Sequence, residues 1–180
     1  MIKFLLSKLK RSSRIAFGYL LTWILCTEMA GCSRYSVTVN DNLVYQPPGL
    51  FSDYIVKDPA LAACISATIT ENNLTGAEQL LKLVCPPGSI VDLDGIASFP
   101  AIEYLGLANN KVKDLQPISM LTQIKQLNVQ NNDIRSFTPV ISLKQLNFLD
   151  AQGNIHANCD SLKDNQETLK IKLPSHCGKG

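Results

Sequence analysis

One pattern of five residues occurs twice in this chain, and the two copies lie 22 residues apart. The copies are Ile102, Leu105, Leu107, Asn110 and Val112, and then Ile124, Leu127, Val129, Asn132 and Ile134. The same spacing reaches weaker matches at Leu80, Leu83, Cys85, Gly88 and Ile90, and at Leu146, Leu149, Ala151, Asn154 and His156. A repeat that is regular in the middle and irregular at both ends predicts a solenoid with terminal caps.

Each copy contains an alternation that is typical of a short β-strand. Leu105 and Leu107 fall on the core side of such a strand, and Tyr104, Gly106 and Ala108 fall on its other side. An asparagine follows each strand, where the chain must turn away. A primary amide donates and accepts hydrogen bonds, so it can pair backbone groups that the turn leaves free. We therefore expect a structural ladder of stacked asparagines, formed by Asn110, Asn132 and Asn154.

The second half of each repeat keeps its apolar residues three positions apart. This spacing runs through residues 90–99, 112–121 and 134–143. A three-residue period suits a 3₁₀ helix or a similarly tight turn better than an α-helix. Pro117 and Pro139 lie early in two of these segments and further disfavour a regular helix.

The pattern L-x-x-L-x-L-x-x-N-x-I, together with D-L-x-P-I at residues 114–118, resembles the bacterial, internalin-like leucine-rich repeat. The resemblance covers roughly residues 55–177. It implies an α/β solenoid with a short parallel β-sheet on its concave face and 3₁₀ or irregular turns on its convex face. A helical N-cap and a disulfide-closed C-cap would cover the ends of the core.

The N-cap is predicted from two helix-start signals. Asp58 can cap a helix that has Pro59 at its first position. Thr75 and Glu78 form a candidate capping box for a second helical segment. The expected divisions are 1–31 signal peptide, 32–52 tether or small hairpin, 53–79 N-cap, 80–167 four repeats and 168–180 C-cap.

The first 31 residues have the pattern of a targeting segment. A basic start precedes an apolar run over residues 15–27, which is short for a membrane-spanning helix. The motif Met-Ala-Gly-Cys that ends at Cys32 resembles the lipobox of bacterial lipoproteins, which implies cleavage before Cys32 and lipidation of its thiol. Ser33 resembles the outer-membrane sorting pattern, so we expect a lipid-anchored protein of the cell envelope, periplasmic or surface-exposed. Plain secretion and an uncleaved N-terminal anchor remain alternatives.

Charge argues against a nucleic-acid partner. Residues 1–31 hold five of the basic residues and one glutamate, so the formal net charge of +2 becomes about −2 for residues 32–180. A mildly acidic domain lacks the basic surface that phosphate backbones require.

Four cysteines remain outside the targeting segment, which fits an oxidising compartment. Three pairings are possible in principle. Repeat geometry favours Cys64 with Cys85, which join the N-cap to the first repeat, and Cys159 with Cys177, which bracket the C-terminal end.

A zinc site is the alternative at the C-terminal end. His156, Cys159, His176 and Cys177 could supply two imidazoles and two thiolates. Thiols outside the cytoplasm usually oxidise, so we expect a disulfide here and neither metal nor cofactor.

Catalytic motifs are absent from the sequence. The two histidines both lie near the C-terminus, and neither G-x-S-x-G nor H-E-x-x-H occurs. Asp92 and Asp94 flank an apolar residue where the repeat turns outward, so we expect solvated turn carboxylates. The chain is predicted to be a non-enzyme.

The expected working surface is the concave side of the sheet, where relatives with this repeat commonly bind a protein. It is nearly uncharged by sequence and combines two aromatic residues with amides. The predicted partner-contacting residues are Tyr104, Gln126, Asn128, Gln130, Phe148, Asp150 and Gln152. A structural subunit of an envelope assembly, and an inhibitor or immunity protein for an enzyme or toxin, are the alternative functions.

Overall fold

The computed structural model describes residues 36–163 and 169–178. Cys32 and the predicted signal peptide lie outside these described residues. The chain divides into two compact units, residues 1–47 and residues 48–180, and each is described by itself. Within the described ranges, no helix is both long enough and apolar enough to cross a bilayer.

The first unit contains a small antiparallel hairpin of β1 (Val37–Val39) and β2 (Asn42–Tyr45). Asn40 and Asp41 form its turn with positive φ angles of 50° and 60°. Positive φ at both central residues defines the hairpin turn whose twist matches that of the flanking strands, and asparagine and aspartate tolerate it. The segment that the sequence left open as a tether or hairpin therefore contains a hairpin.

The second unit is built on a five-stranded parallel sheet whose strands follow one another in chain order. The strands are β3 (Lys82–Val84), β4 (Tyr104–Gly106), β5 (Gln126–Asn128), β6 (Phe148–Asp150) and β7 (Lys170–Lys172). Neighbouring strands pair at the repeat spacing of 22 residues. This arrangement confirms the predicted solenoid and its parallel sheet.

The core lies between this sheet and the opposite, convex side. Leu105, Leu127 and Leu149 stack from strand to strand and are fully buried. Opposite them lie three short 3₁₀ helices, at Ile96–Ser98, Gln116–Met120 and Thr138–Ser142. The three-residue apolar spacing thus predicted the convex side correctly.

The asparagines that follow the strands form the expected ladder. The side-chain oxygen of Asn132 accepts the backbone N–H of Val112 at 2.9 Å. Its amide nitrogen donates to the carbonyls of Leu107 at 2.9 Å and Val129 at 3.0 Å. Asn110 and Asn154 repeat the pattern one turn before and one turn after. Each amide therefore joins two successive repeats.

A second, exposed column runs beside the ladder. Asn109 and Asn131 have positive φ angles of 59° and 53°, and the amide of Asn131 donates to the side-chain oxygen of Asn109 at 2.8 Å. Gly153 takes the next position with φ 75°. A side chain there would collide with Asn131, so this column needs glycine at its end.

The N-terminal end of the core is covered by helix α1 (Pro59–Glu71), which buries Leu61, Ile65 and Ile69. The predicted cap at Asp58 is confirmed, because its carboxylate accepts the N–H groups of Ala60 and Leu61.

The predicted capping box at Thr75 and Glu78 is wrong. The backbone N–H of Thr75 pairs instead with the side-chain oxygen of Gln79 at 2.7 Å. The helical element is a single 3₁₀ turn, Ala77–Gln79, preceded by Gly76 in an extended conformation without a side-chain cap. Because the turn starts two residues later than the box requires, Glu78 lies inside it and does not reach back to cap it.

Two disulfides close the ends of the solenoid, in the pairing that repeat geometry favours. Cys64 of α1 is bonded to Cys85, which directly follows β3, with a Cα–Cα distance of 5.4 Å. Cys159 is bonded to Cys177 at the C-terminal end, with a Cα–Cα distance of 5.8 Å. Helix α2 (Asp160–Lys163) and strand β7 lie between these last two cysteines.

Candidate functional site

The outward side chains of the sheet form two parallel rows because all five strands pair in register. The first row, in order across the sheet, is Lys82, Tyr104, Gln126, Phe148 and Lys170. The second row is Val84, Gly106, Asn128, Asp150 and Lys172. Strand pairing therefore places most of the predicted contact residues on one surface.

The first row has an exposed amide between two aromatic rings. Tyr104 and Phe148 are each half-buried, whereas Gln126 between them is exposed. Gln130 and Gln152 follow their strands and lie beyond the rows, the former half-buried and the latter exposed. Half-buried aromatics offer a large apolar contact area with little loss of side-chain freedom on binding.

Asp150 differs from its expected role. It is only 5% exposed, and it pairs with the Nζ of Lys172 at 3.2 Å and accepts the backbone N–H of Gln152 at 3.3 Å. The neighbouring strand β7 covers it, so it does not offer a free carboxylate to a partner. Its role in this structure is to hold Lys172 and the turn after β6.

The surface is also more charged than expected. Strand β7 adds Lys170 and Lys172 to the concave side, next to β6. The predicted face ended at β6, although the sequence placed Ile171 in the repeat register. Extending that register by one residue on each side of Ile171 would have found both lysines.

A lysine accompanies each aromatic ring. The Nζ of Lys82 lies 5.3 Å from the ring centroid of Tyr104, and the Nζ of Lys172 lies 5.5 Å from that of Phe148. Both distances fit cation–π contacts, which hold the rings and lysines against each other. Gln126, Asn147, Phe148 and Lys170 line an open depression of about 540 Å³ beside the second ring. The arrangement can bind a side chain or backbone segment by packing and hydrogen bonding.

The two acidic residues before the first 3₁₀ helix organise their own loop. Asp92 accepts the backbone N–H of Asp94 at 2.8 Å, and Asp94 pairs with Lys57. A hydrogen bond from Lys57 to Asp94, together with their charge attraction, raises the pKa of Lys57. Asp94 is therefore an ion-pair partner, whereas the sequence predicted a solvated carboxylate.

The C-terminal cap brings three possible metal-binding residues together. Cys159, His176 and Cys177 offer ligand atoms within 4.8 Å of one another, and His156 is not part of this group. The two sulfurs are joined in a disulfide, and Nε2 of His176 lies 2.9 Å from the carbonyl oxygen of Ala157. Bonded sulfurs provide no thiolate for a metal, so the arrangement fits a covalent cap.

Comparison with known proteins agrees with this fold. A family model described as leucine-rich repeats (2 copies) matches residues 100–142. The chain is thus a leucine-rich repeat protein. Among curated proteins, no sequence matches it.

Two solved structures place it more narrowly. An internalin, InlF, from Listeria monocytogenes matches with a TM-score of 0.58 at 23% identity, covering 66% of this chain and 36% of the internalin. Internalin C2 from the same organism matches with a TM-score of 0.56 at 19% identity, covering 65% of this chain and 55% of that one. The chain has an internalin-like fold and spans between about a third and somewhat over half of these two proteins.

Proposed function

We propose that this protein is a non-enzymatic binding module that holds a protein partner on the concave side of its sheet. The observation that supports the proposal is the first row, in which Tyr104 and Phe148 flank the exposed amide of Gln126. Aromatic side chains beside adaptable amides are the composition of interface anchors. Short parallel strands with fully buried inward leucines hold these residues on a rigid surface.

Cross-linking in intact cells, followed by affinity capture and mass spectrometry, tests the proposal. The test variant is Tyr104→Ala/Phe148→Ala, and the control variant is Met120→Ala/Ile141→Ala, which removes two exposed apolar residues from the convex side. A defined protein captured by the wild type and the control, but lost from the test variant while circular dichroism shows that it remains folded, supports the proposal. Unchanged recovery with the test variant contradicts it.

The proposal includes a membrane anchor at Cys32. Support comes from the basic start, the short apolar run and the lipobox-like motif that ends at this cysteine. One acyl-bearing residue would tether the module to the bacterial envelope, with the outer membrane as the expected destination.

Mass spectrometry of the N-terminal peptide tests the anchor, with Cys32→Ala as the test variant and Cys26→Ala as the control. A mature chain that begins at a diacylglyceryl-modified Cys32, in the wild type and the Cys26→Ala protein, supports lipidation. A mature chain with an unmodified Cys32, or one that keeps residues 1–31, contradicts it and indicates secretion or an uncleaved anchor.

A further inference from the structure

The first row has the same chemistry at its two ends. From one edge of the sheet to the other it reads lysine, aromatic, amide, aromatic, lysine, with Lys82 on β3 and Lys170 on β7. The centre of the row is uncharged and both ends are cationic. A ligand that matches the row needs an uncharged middle and an anionic group at each end.

The end lysines differ from the other charged groups near the sheet. Lys172 is paired with Asp150 at 3.2 Å, and Lys125 is paired with Glu103 at 2.8 Å. Lys82 and Lys170 form no salt bridge with any other residue among those that the structure describes. Both are exposed, so their charges are available to a partner.

The charge of the two rows is opposite to that of the domain around them. The rows hold three lysines and one aspartate, whereas residues 32–180 have a formal net charge of about −2. A positive strip on an otherwise acidic domain attracts and orients an acidic partner and repels none of its charge.

We infer that the concave face binds an acidic protein segment that crosses the strands, with one carboxylate on Lys82 and another on Lys170. Neighbouring strands lie about 4.8 Å apart, so the four steps from β3 to β7 place the two lysines about 19 Å apart. An extended chain covers that distance in about six residues. The residues between the carboxylates pack on Tyr104 and Phe148 and bond to Gln126. This inference rests on the proposed function and adds the chemical class of the partner.

Fluorescence anisotropy with labelled synthetic peptides and the purified full chain tests the inference. The first peptide carries two glutamates six positions apart, with serine and tyrosine between them. A second has glutamine at both positions, and a third has the two glutamates adjacent at the same net charge. We expect the spaced-glutamate peptide to bind roughly tenfold more tightly than the glutamine peptide at low salt, and more tightly than the adjacent-glutamate peptide.

The protein variants locate that preference. Lys82→Gln/Lys170→Gln removes both end charges, and Lys113→Gln/Lys144→Gln removes two exposed lysines that lie off the sheet. The first variant is expected to bind glutamate and glutamine peptides equally, and the second to keep the wild-type preference. Inorganic polyphosphate and phosphatidylglycerol vesicles serve as anionic probes that are not protein.

Three results overturn the inference. They are equal affinity of the wild type for glutamate and glutamine peptides, no binding of the spaced-glutamate peptide at millimolar concentration, and preferential binding of polyphosphate or vesicles that the Lys82→Gln/Lys170→Gln change abolishes. A cellular partner that depends on Tyr104 and Phe148 but not on the two lysines keeps the proposed function and removes only the acidic partner. A partner that depends on neither pair removes both.

Discussion

At the scale of single residues, buried side chains complete the backbone hydrogen bonding that short strands cannot provide. Asn132 is 4% exposed, and its amide pairs backbone groups of two successive repeats. This position was visible in the sequence because only a residue that both donates and accepts satisfies the turn. The exposed column at Asn109 and Asn131 was not, since a positive φ angle leaves no periodic apolar signal.

The ladder predicts a large cost for a small truncation. Asn132→Ala leaves one buried N–H and two carbonyls without their partner, so we expect the free energy of unfolding to fall by about 2–4 kcal/mol. Asn131→Gly is the control: its exposed side chain bonds only to Asn109, and glycine accepts its positive φ angle. Urea denaturation measures both variants, and equal losses would contradict the role of the ladder.

Asp58 is a helix cap with two separate duties. One carboxylate oxygen accepts the N–H groups of Ala60 and Leu61, and the other accepts those of Val91 and Asp92. Burial raises the pKa of Asp58, but the four backbone N–H donors outweigh that effect and lower it below the usual 3.8. The sequence indicated the cap and could not indicate the second pair of donors, because Val91 and Asp92 are brought there only by the fold.

This geometry predicts that asparagine, normally a good cap, is a poor replacement. Asp58→Asn points an NH₂ group at one pair of donors, so we expect a loss of about 2 kcal/mol near neutral pH. Asp114→Asn is the control, since Asp114 accepts only the N–H of Gln116 in an exposed turn.

The lowered pKa of Asp58 also fixes the direction of the pH dependence. The stabilisation from the ionised carboxylate is present above pH 3.8 and is lost as pH falls through the lower folded-state pKa. Melting temperatures measured from pH 2 to 6 should therefore show the gap between wild type and Asp58→Asn narrowing below pH 3.8. A gap that stays constant over this range would contradict the account.

At the scale of elements, the periodicity of buried residues identified strands and 3₁₀ helices more reliably than terminal signals identified caps. Leucines at alternate positions mark β4 and β5, and apolar residues every third position mark the convex side. The Thr75–Glu78 box failed because a short motif with generous sequence requirements does not fix where a single 3₁₀ turn begins. Tertiary packing decides that position.

The disulfide between Cys64 and Cys85 fixes the N-cap helix to the sheet. The cysteines are separated by 21 residues, and closing a loop of that length constrains the unfolded chain by about 3 kcal/mol. Cys64→Ala/Cys85→Ala is expected to lower the free energy of unfolding by about that amount and to increase hydrogen exchange in α1 before the strands β5 and β6. Loss of protection in β5 and β6 to the same extent as in α1 would contradict a local cap.

At the scale of the whole molecule, the repeat determines which side chains can meet a partner. Strand register alone places Tyr104, Gln126 and Phe148 in one row, so this part of the surface could be predicted from sequence. The burial of Asp150 could not, because it depends on β7, which lies beyond the well-matched repeats. The C-terminal lysines have the same origin, and they change an apparently neutral face into one with cationic ends.

The most direct test of the central claim is site-specific photo-cross-linking in intact cells. Gln126, at the centre of the first row, is replaced by benzoylphenylalanine in one protein, and the exposed convex residue Met120 is replaced in another. Concave-face binding predicts a discrete cross-linked protein partner from position 126 and none from position 120. A partner cross-linked from position 120 but not from position 126 would contradict it.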